Sequence, residues 1–167
     1  MDFKMVVPLP PDLTRMTAEI QLALGLAPLE SRLTLYQRFS LEELTDALDQ
    51  RLMALFRGYL PLRFEIEGYL CWNEVSGCLY YPVKVLSAFM NLRRELGQLL
   101  PTPTLKDQAE PHLVLGTISS LGFYQRDLVE RLYFPITWST DRVELESEVK
   151  PSRWVLEAAF TLGENRD

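Results

Sequence analysis

The sequence predicts an α+β fold: two antiparallel sheets around a central groove, with helices on the outer faces. Two observations carry this prediction. Amphipathic helical stripes and short alternating strands follow one another along the chain. The two halves also share a plan, each placing a helix before a short X-Leu-X-Leu strand, Arg32-Leu33-Thr34-Leu35 in the first and His112-Leu113-Val114-Leu115 in the second.

Taken in order, Phe3 to Leu9 suits a first strand. Pro10-Pro11-Asp12 leads into a helix with the stripe Leu13, Met16, Ile20 and Leu24, ended by Gly25. Ser31 to Arg38 reads as a strand with Leu33 and Leu35 on one face. Ser40 and Glu43 form a capping-box pattern that opens a second helix, striped by Leu41, Leu44, Leu48, Leu52 and Leu55 and stopped at Gly58. Arg63 to Glu67 alternates as a half-buried strand does, and a hairpin bounded by Cys71 and Cys78 runs into Leu79–Val83. Val85, Leu86, Phe89, Leu92, Leu96 and Leu99 stripe a third helix, followed by the loop Pro101-Thr102-Pro103. The stretch EPHLVLGT, residues 110–117, is the next strand. Asp127 to Leu132 reads as a short helix, and two long strand-like runs, Ile136–Glu148 and Trp154–Leu162, close the chain.

The 167 residues fit one domain spanning 1–167. A formal net charge of −6 argues against a protein that grips extended DNA or RNA by neutralising phosphates. It leaves room for a local basic pocket. The opening MDFKMVVPLPPDL lacks the apolar run of a signal peptide, and no later run is long enough to span a bilayer. A cytoplasmic protein without a membrane partner is expected. Cys71 and Cys78 sit where a hairpin brings strands together, and an intracellular setting favours reduced thiols there. Two cysteines and one histidine make a poor metal site, so neither metal nor cofactor is expected. No Gly-rich phosphate loop, nucleophile elbow or Cys–His pattern occurs.

The single histidine, His112, stands opposite the apolar face formed by Leu113 and Leu115. Such a residue is a catalyst, a ligand contact or simply a polar group on a strand. Alternation puts Arg32, Thr34 and Tyr36 on one face of their strand, and His112, Val114 and Gly116 on one face of theirs. Thr117 falls opposite His112 unless a bulge intervenes. Trp72 either stacks on a base at the groove rim or folds back onto the domain.

The layout resembles the two-histidine (2H) phosphoesterase superfamily, which includes 2′-5′ RNA ligase-like proteins and RNA cyclic phosphodiesterases. The resemblance runs through PLPPDL, SRLTLYQRFSLEEL, EPHLVLGTI and RVELESEVKPSRWVLEAAFTL, nearly the whole chain. It implies two His-x-Thr/Ser motifs facing across a groove, with one histidine as general base, the other as general acid, and hydroxyls holding phosphate oxygens. Here both motifs are broken. Arginine stands in the first, Arg32-Leu33-Thr34, and valine ends the second, His112-Leu113-Val114. Arginine stays protonated and cannot serve as a base, although it can hold a phosphate bidentately.

The resemblance therefore implies a phosphate site of Arg32, Thr34, Tyr36 and His112, with His112 as the one candidate catalytic group. Three functions follow. The chain binds a small phosphate-containing ligand or short RNA end without two-histidine catalysis. Alternatively it is an active cyclic phosphodiesterase working through His112 alone, or a non-catalytic protein-interaction module.

Overall fold

A computed structural model describes residues 1–103 and 111–163 of the chain. Glu110, the first residue of EPHLVLGT, lies outside the described residues. The elements run β1 (Asp2–Val7), α1 (Pro11–Ala23), β2 (Leu33–Ser40), α2 (Asp46–Arg57), β3 (Leu62–Ile66), β4 (Cys71–Trp72) and β5 (Cys78–Val85). They continue through α3 (Ser87–Leu99), β6 (His112–Thr117), α4 (Phe123–Arg131), β7 (Ile136–Thr140), β8 (Arg142–Lys150) and β9 (Arg153–Thr161).

The strands form two antiparallel sheets, giving the α+β architecture expected from the alternation of elements. The first has the order β2-β1-β8-β9. In the second, β5 pairs with β6 on one side and with β4 and β3 on the other, and β3 pairs with β7. The order β6-β5-β3-β7 thus repeats β2-β1-β8-β9, with β4 as an added hairpin strand. In both halves a helix links the paired strands: α1 between β1 and β2, α3 between β5 and β6. The motif strands β2 and β6 are edge strands, and they lie against each other where the two sheets meet.

One apolar cluster joins the sheets to the helices. Phe3, Met5, Leu33, Leu35 and Leu145 of the first sheet are buried, as are Phe64, Leu79, Tyr81, Leu113 and Leu115 of the second. Helix α2 brings Leu52 and Phe56 into this cluster, Phe56 packing on Phe160 of β9 at 4.9 Å, and α3 brings Phe89, Leu92 and Leu96. Their spacing gives each helix one apolar face, which removes apolar surface from water.

Several elements depart from the sequence-based boundaries. The Ser40–Glu43 capping box is not used. Ser40 ends β2, paired with Asp2, and its hydroxyl donates to the Asp2 carboxylate at 2.5 Å. Helix α2 begins only at Asp46, where the Thr45 hydroxyl accepts from the Leu48 N–H. Tertiary pairing with β1 thus outcompetes a local capping signal. Val85 belongs to β5 rather than to the third helix, and α4 starts at Phe123, earlier than Asp127.

The run Ile136–Glu148 is two strands, not one. Its first part pairs with β3 in the second sheet and its second part with β1 in the first. The break falls at Asp141, where the Thr140 hydroxyl accepts the Arg142 N–H at 3.1 Å. Ser139-Thr140-Asp141 marks the break locally, but nothing local says that the strands on either side join different sheets.

Candidate functional site

Both motif strands carry a β-bulge at the same place. In β2, Val6 faces Thr34 and Met5 faces Tyr36, which leaves Leu35 unpaired. In β6, Tyr80 faces Val114 and Leu79 faces Gly116, which leaves Leu115 unpaired. Gly116 adopts φ +152°, a conformation that favours glycine, and a Cβ there would meet the Leu26 side chain at 3.4 Å. The bulges coincide on the shared X-Leu-X-Leu pattern, so the halves match in backbone detail as well as in strand order.

The bulges also change which side chains share a face. Tyr36 turns inward: it is 3% exposed, packs edge-on against Phe39, and its hydroxyl donates to the Pro101 carbonyl at 3.1 Å. The expectation that Tyr36 shares the face of Arg32 and Thr34 is corrected on this ground, because simple alternation fails across Leu35. The same parity reset puts exposed Thr117 on the face of Val114, contrary to the unbulged reading. Trp72 is folded back, its Nε1–H donating to the Ile118 carbonyl at 3.3 Å.

Arg32 precedes β2 by one residue and is enclosed by carboxylates. Its Nη1 lies 2.6 Å from Glu144 and 2.5 Å from Glu146, and its Nη2 lies 2.6 Å from Glu30. Glu144 and Glu146 alternate on β8 with the fully buried Val143 and Leu145, and are themselves 7% and 4% exposed. Glu146 also meets Lys4 at 3.2 Å, and Glu144 meets Arg142 at 2.8 Å. Burial works against the charge of Arg32, but the surrounding Glu30, Glu146 and Glu144 outweigh it and raise the guanidinium pKa further. Three cations and three carboxylates make this cluster formally neutral. Arg32 is therefore a paired cation with both terminal nitrogens engaged by carboxylates, where the family resemblance implies an open phosphate donor.

The ion pairs continue along the sheet. Arg38 joins Asp2 and Glu148, and Trp154 lies over Lys4 with the ammonium 4.4 Å from its ring centre. The signal for this cluster was present in RVELESEV, where Glu144, Glu146 and Glu148 fall on one strand face. Nothing local connected that face to Arg32.

His112 opens β6, opposite Pro82 of β5, and its imidazole packs against the Tyr80 ring at 4.8 Å. Thr34 is half-buried on the facing edge strand. The second sheet bears two adjoining clefts. The larger, about 690 Å³, is lined by Pro82 and Pro111, the cross-strand partner and chain neighbour of His112, together with Lys84, Arg63, Glu65 and Met90. A second, about 490 Å³, shares Glu65 and Glu67 and is walled by Tyr69 and Tyr133. Neither is lined by Arg32, Thr34 or His112 itself. The larger cleft comes within one residue of His112, at Pro111, while the first motif is filled by ion pairs.

Cys71 and Cys78 are free thiols, and burial pushes both pKa values up. Among the described residues, no group of three His, Cys, Asp or Glu side chains is placed to hold a metal ion. No helix among them is long and apolar enough to cross a membrane.

Two sheets of matching order, joined at the edge strands β2 and β6, form a fold that is shared with solved structures. Solved structures agree over the full chain. Protein TT0787 of Thermus thermophilus superposes with a TM-score of 0.70, at 18% identity, covering 98% of each chain. E. coli LigT complexed with ATP gives a TM-score of 0.65 at 12% identity, covering 98% of each. E. coli LigT complexed with 3′-AMP gives 0.61 at 14% identity, covering 97% of this chain and 98% of that one. No protein-family model matches the chain, and no curated protein matches it.

Proposed function

We propose that this protein binds a small phosphate-containing ligand, such as a nucleotide or a short RNA end, on the His112 side of its groove, without two-histidine catalysis. The observation that carries the reading is the fate of the first motif. Arginine replaces the histidine, and Glu30, Glu144 and Glu146 hold it. A guanidinium so paired takes no proton and donates none in the neutral range. His112 is half-buried one residue from the cleft lining at Pro111, and Thr117 shares its strand face. LigT structures with 3′-AMP and ATP support a phosphate-bearing ligand by analogy of fold.

The single histidine makes the test direct, because one imidazole gives one set of NMR signals. Inorganic phosphate, 3′-AMP and a 2′,3′-cyclic nucleotide are titrated while the His112 signals are followed and turnover of the cyclic nucleotide is assayed. Saturable shifts without turnover, lost in His112→Ala, are expected. Turnover that His112→Ala abolishes would replace this reading with an enzyme using His112 as sole proton shuttle. Silence from every ligand would leave the interaction module.

A further inference from the structure

Each bulge exposes a carbonyl that the strand ladder no longer uses, and a buried polar side chain from the opposite half satisfies it. Gln21 of α1, in the first half, donates from Nε2 to the Leu115 carbonyl of β6 at 2.8 Å. Arg93 of α3, in the second half, donates from Nε to the Leu35 carbonyl of β2 at 3.0 Å. The two contacts are reciprocal under the exchange of halves. Both side chains are buried, 3% and 6% exposed, although neither residue type ordinarily enters a core.

Gln21 does more than fill a vacancy. The same Nε2 lies 2.8 Å from the Leu29 carbonyl and 3.3 Å from the Ser31 hydroxyl. Two carbonyls converging on one atom identify it as the nitrogen of the amide. One side chain therefore joins the segment leading into Arg32 to the strand that begins at His112. Arg93 grips β2 beside Thr34, with its guanidinium 5.2 Å from the Phe89 ring centre.

We propose that Gln21 and Arg93 are positioning residues that set the spacing of the two motif strands, so that the helix of each half places the site residues of the other. The bulged carbonyls are the handles. A buried carbonyl left without a donor costs free energy until the backbone moves or water enters, and both β6 and β2 are edge strands with only one neighbour to restrain them. Loss of the Gln21 donor therefore displaces β6 and with it His112, even though Gln21 lies in the other half.

The test reads His112 itself and so does not depend on the ligand reading. Gln21→Met keeps the length of the side chain and removes the donor. Thr17→Val is the control: Thr17 is similarly buried on α1, but among the described residues its hydroxyl donates to Thr14 within the helix. NMR of the full chain should show the His112 imidazole signals and their titration midpoint shifted in Gln21→Met and unchanged in Thr17→Val. Arg93→Lys should instead shift the amides of Thr34 to Tyr36. A folded Gln21→Met with wild-type His112 signals overturns the proposal, as does an equal shift in Thr17→Val. If neither Gln21→Met nor Arg93→Lys folds, the pair is a stability element and the positioning role is overturned.

Discussion

Replacing Arg32 with methionine should destabilise the protein strongly, although its side chain is partly exposed. Methionine keeps most of the apolar stem and deletes the charge. The change strands Glu144 and Glu146, whose side chains are only 10% and 5% exposed. Removing one partner from a buried ion pair costs about 3 to 5 kcal/mol. Glu146 keeps Lys4 and Glu144 keeps Arg142, while Glu30 is largely exposed and loses little, so the lower end applies, about 3 kcal/mol. In a chain of this size that lowers the thermal midpoint by roughly 6 to 12 °C. Equilibrium urea unfolding and a thermal melt at pH 7, both followed by circular dichroism, measure it. Adding Glu144→Gln and Glu146→Gln should recover part of it, since the buried carboxylates go and the cations left behind, Lys4 and Arg142, are more exposed, at 23% and 50%. A loss below about 1 kcal/mol, the range of an exposed pair, would refute the reasoning and leave Arg32 as an available phosphate donor.

Three further outcomes are expected. Arg32→His with Val114→Thr rebuilds both motifs but leaves Glu144 and Glu146 beside the new imidazole, where they hold it protonated and repel phosphate. It should not turn over a 2′,3′-cyclic nucleotide, and turnover by the double variant alone would refute this. Tyr81→Phe should be neutral or stabilising by up to about 1 kcal/mol in urea unfolding, because the buried hydroxyl has no partner among the described residues. Burial pushes the Tyr81 pKa up to about 12, so the phenol stays neutral throughout such a measurement. Asp2 is held below the usual carboxylate range by hydrogen bonds from Ser40 and Arg38. A depressed folded-state pKa gives stability present above the unfolded value of about 3.9 and lost as pH falls through the folded one. Asp2→Asn should therefore flatten the acid limb of the stability profile below about pH 4 and leave its slope near neutrality unchanged.

The fold was legible where periodicity is strong. The stripe of α3 and the alternation of Arg63–Glu67 read directly, because a helix face and a strand face impose periods of their own. Local signals failed where distant strands decide. Ser40 looks like a helix cap until Asp2 is beside it, and Ile136–Glu148 looks like one strand until β3 and β1 each claim a part. Tyr36 was misplaced for a related reason. A bulge depends on the register of β2 against β1, and alternation within β2 carries no trace of it. Gln21 and Arg93 left a faint sign, as polar residues set within apolar helix faces, but their partners lie on the opposite half of the molecule.

By itself, the sequence determined the order of the elements as far as Ile136 and the impossibility of a two-histidine mechanism. Both follow from residue identity alone, since one imidazole cannot be shared between two motifs. Only the tertiary structure decided what the arginine in the first motif does. Arg32 and Glu144 are 112 residues apart, and they meet because β1 lies between β2 and β8 in one sheet. Whether a guanidinium awaits a phosphate or is already neutralised depends on which carboxylates surround it in space, and sheet order sets that.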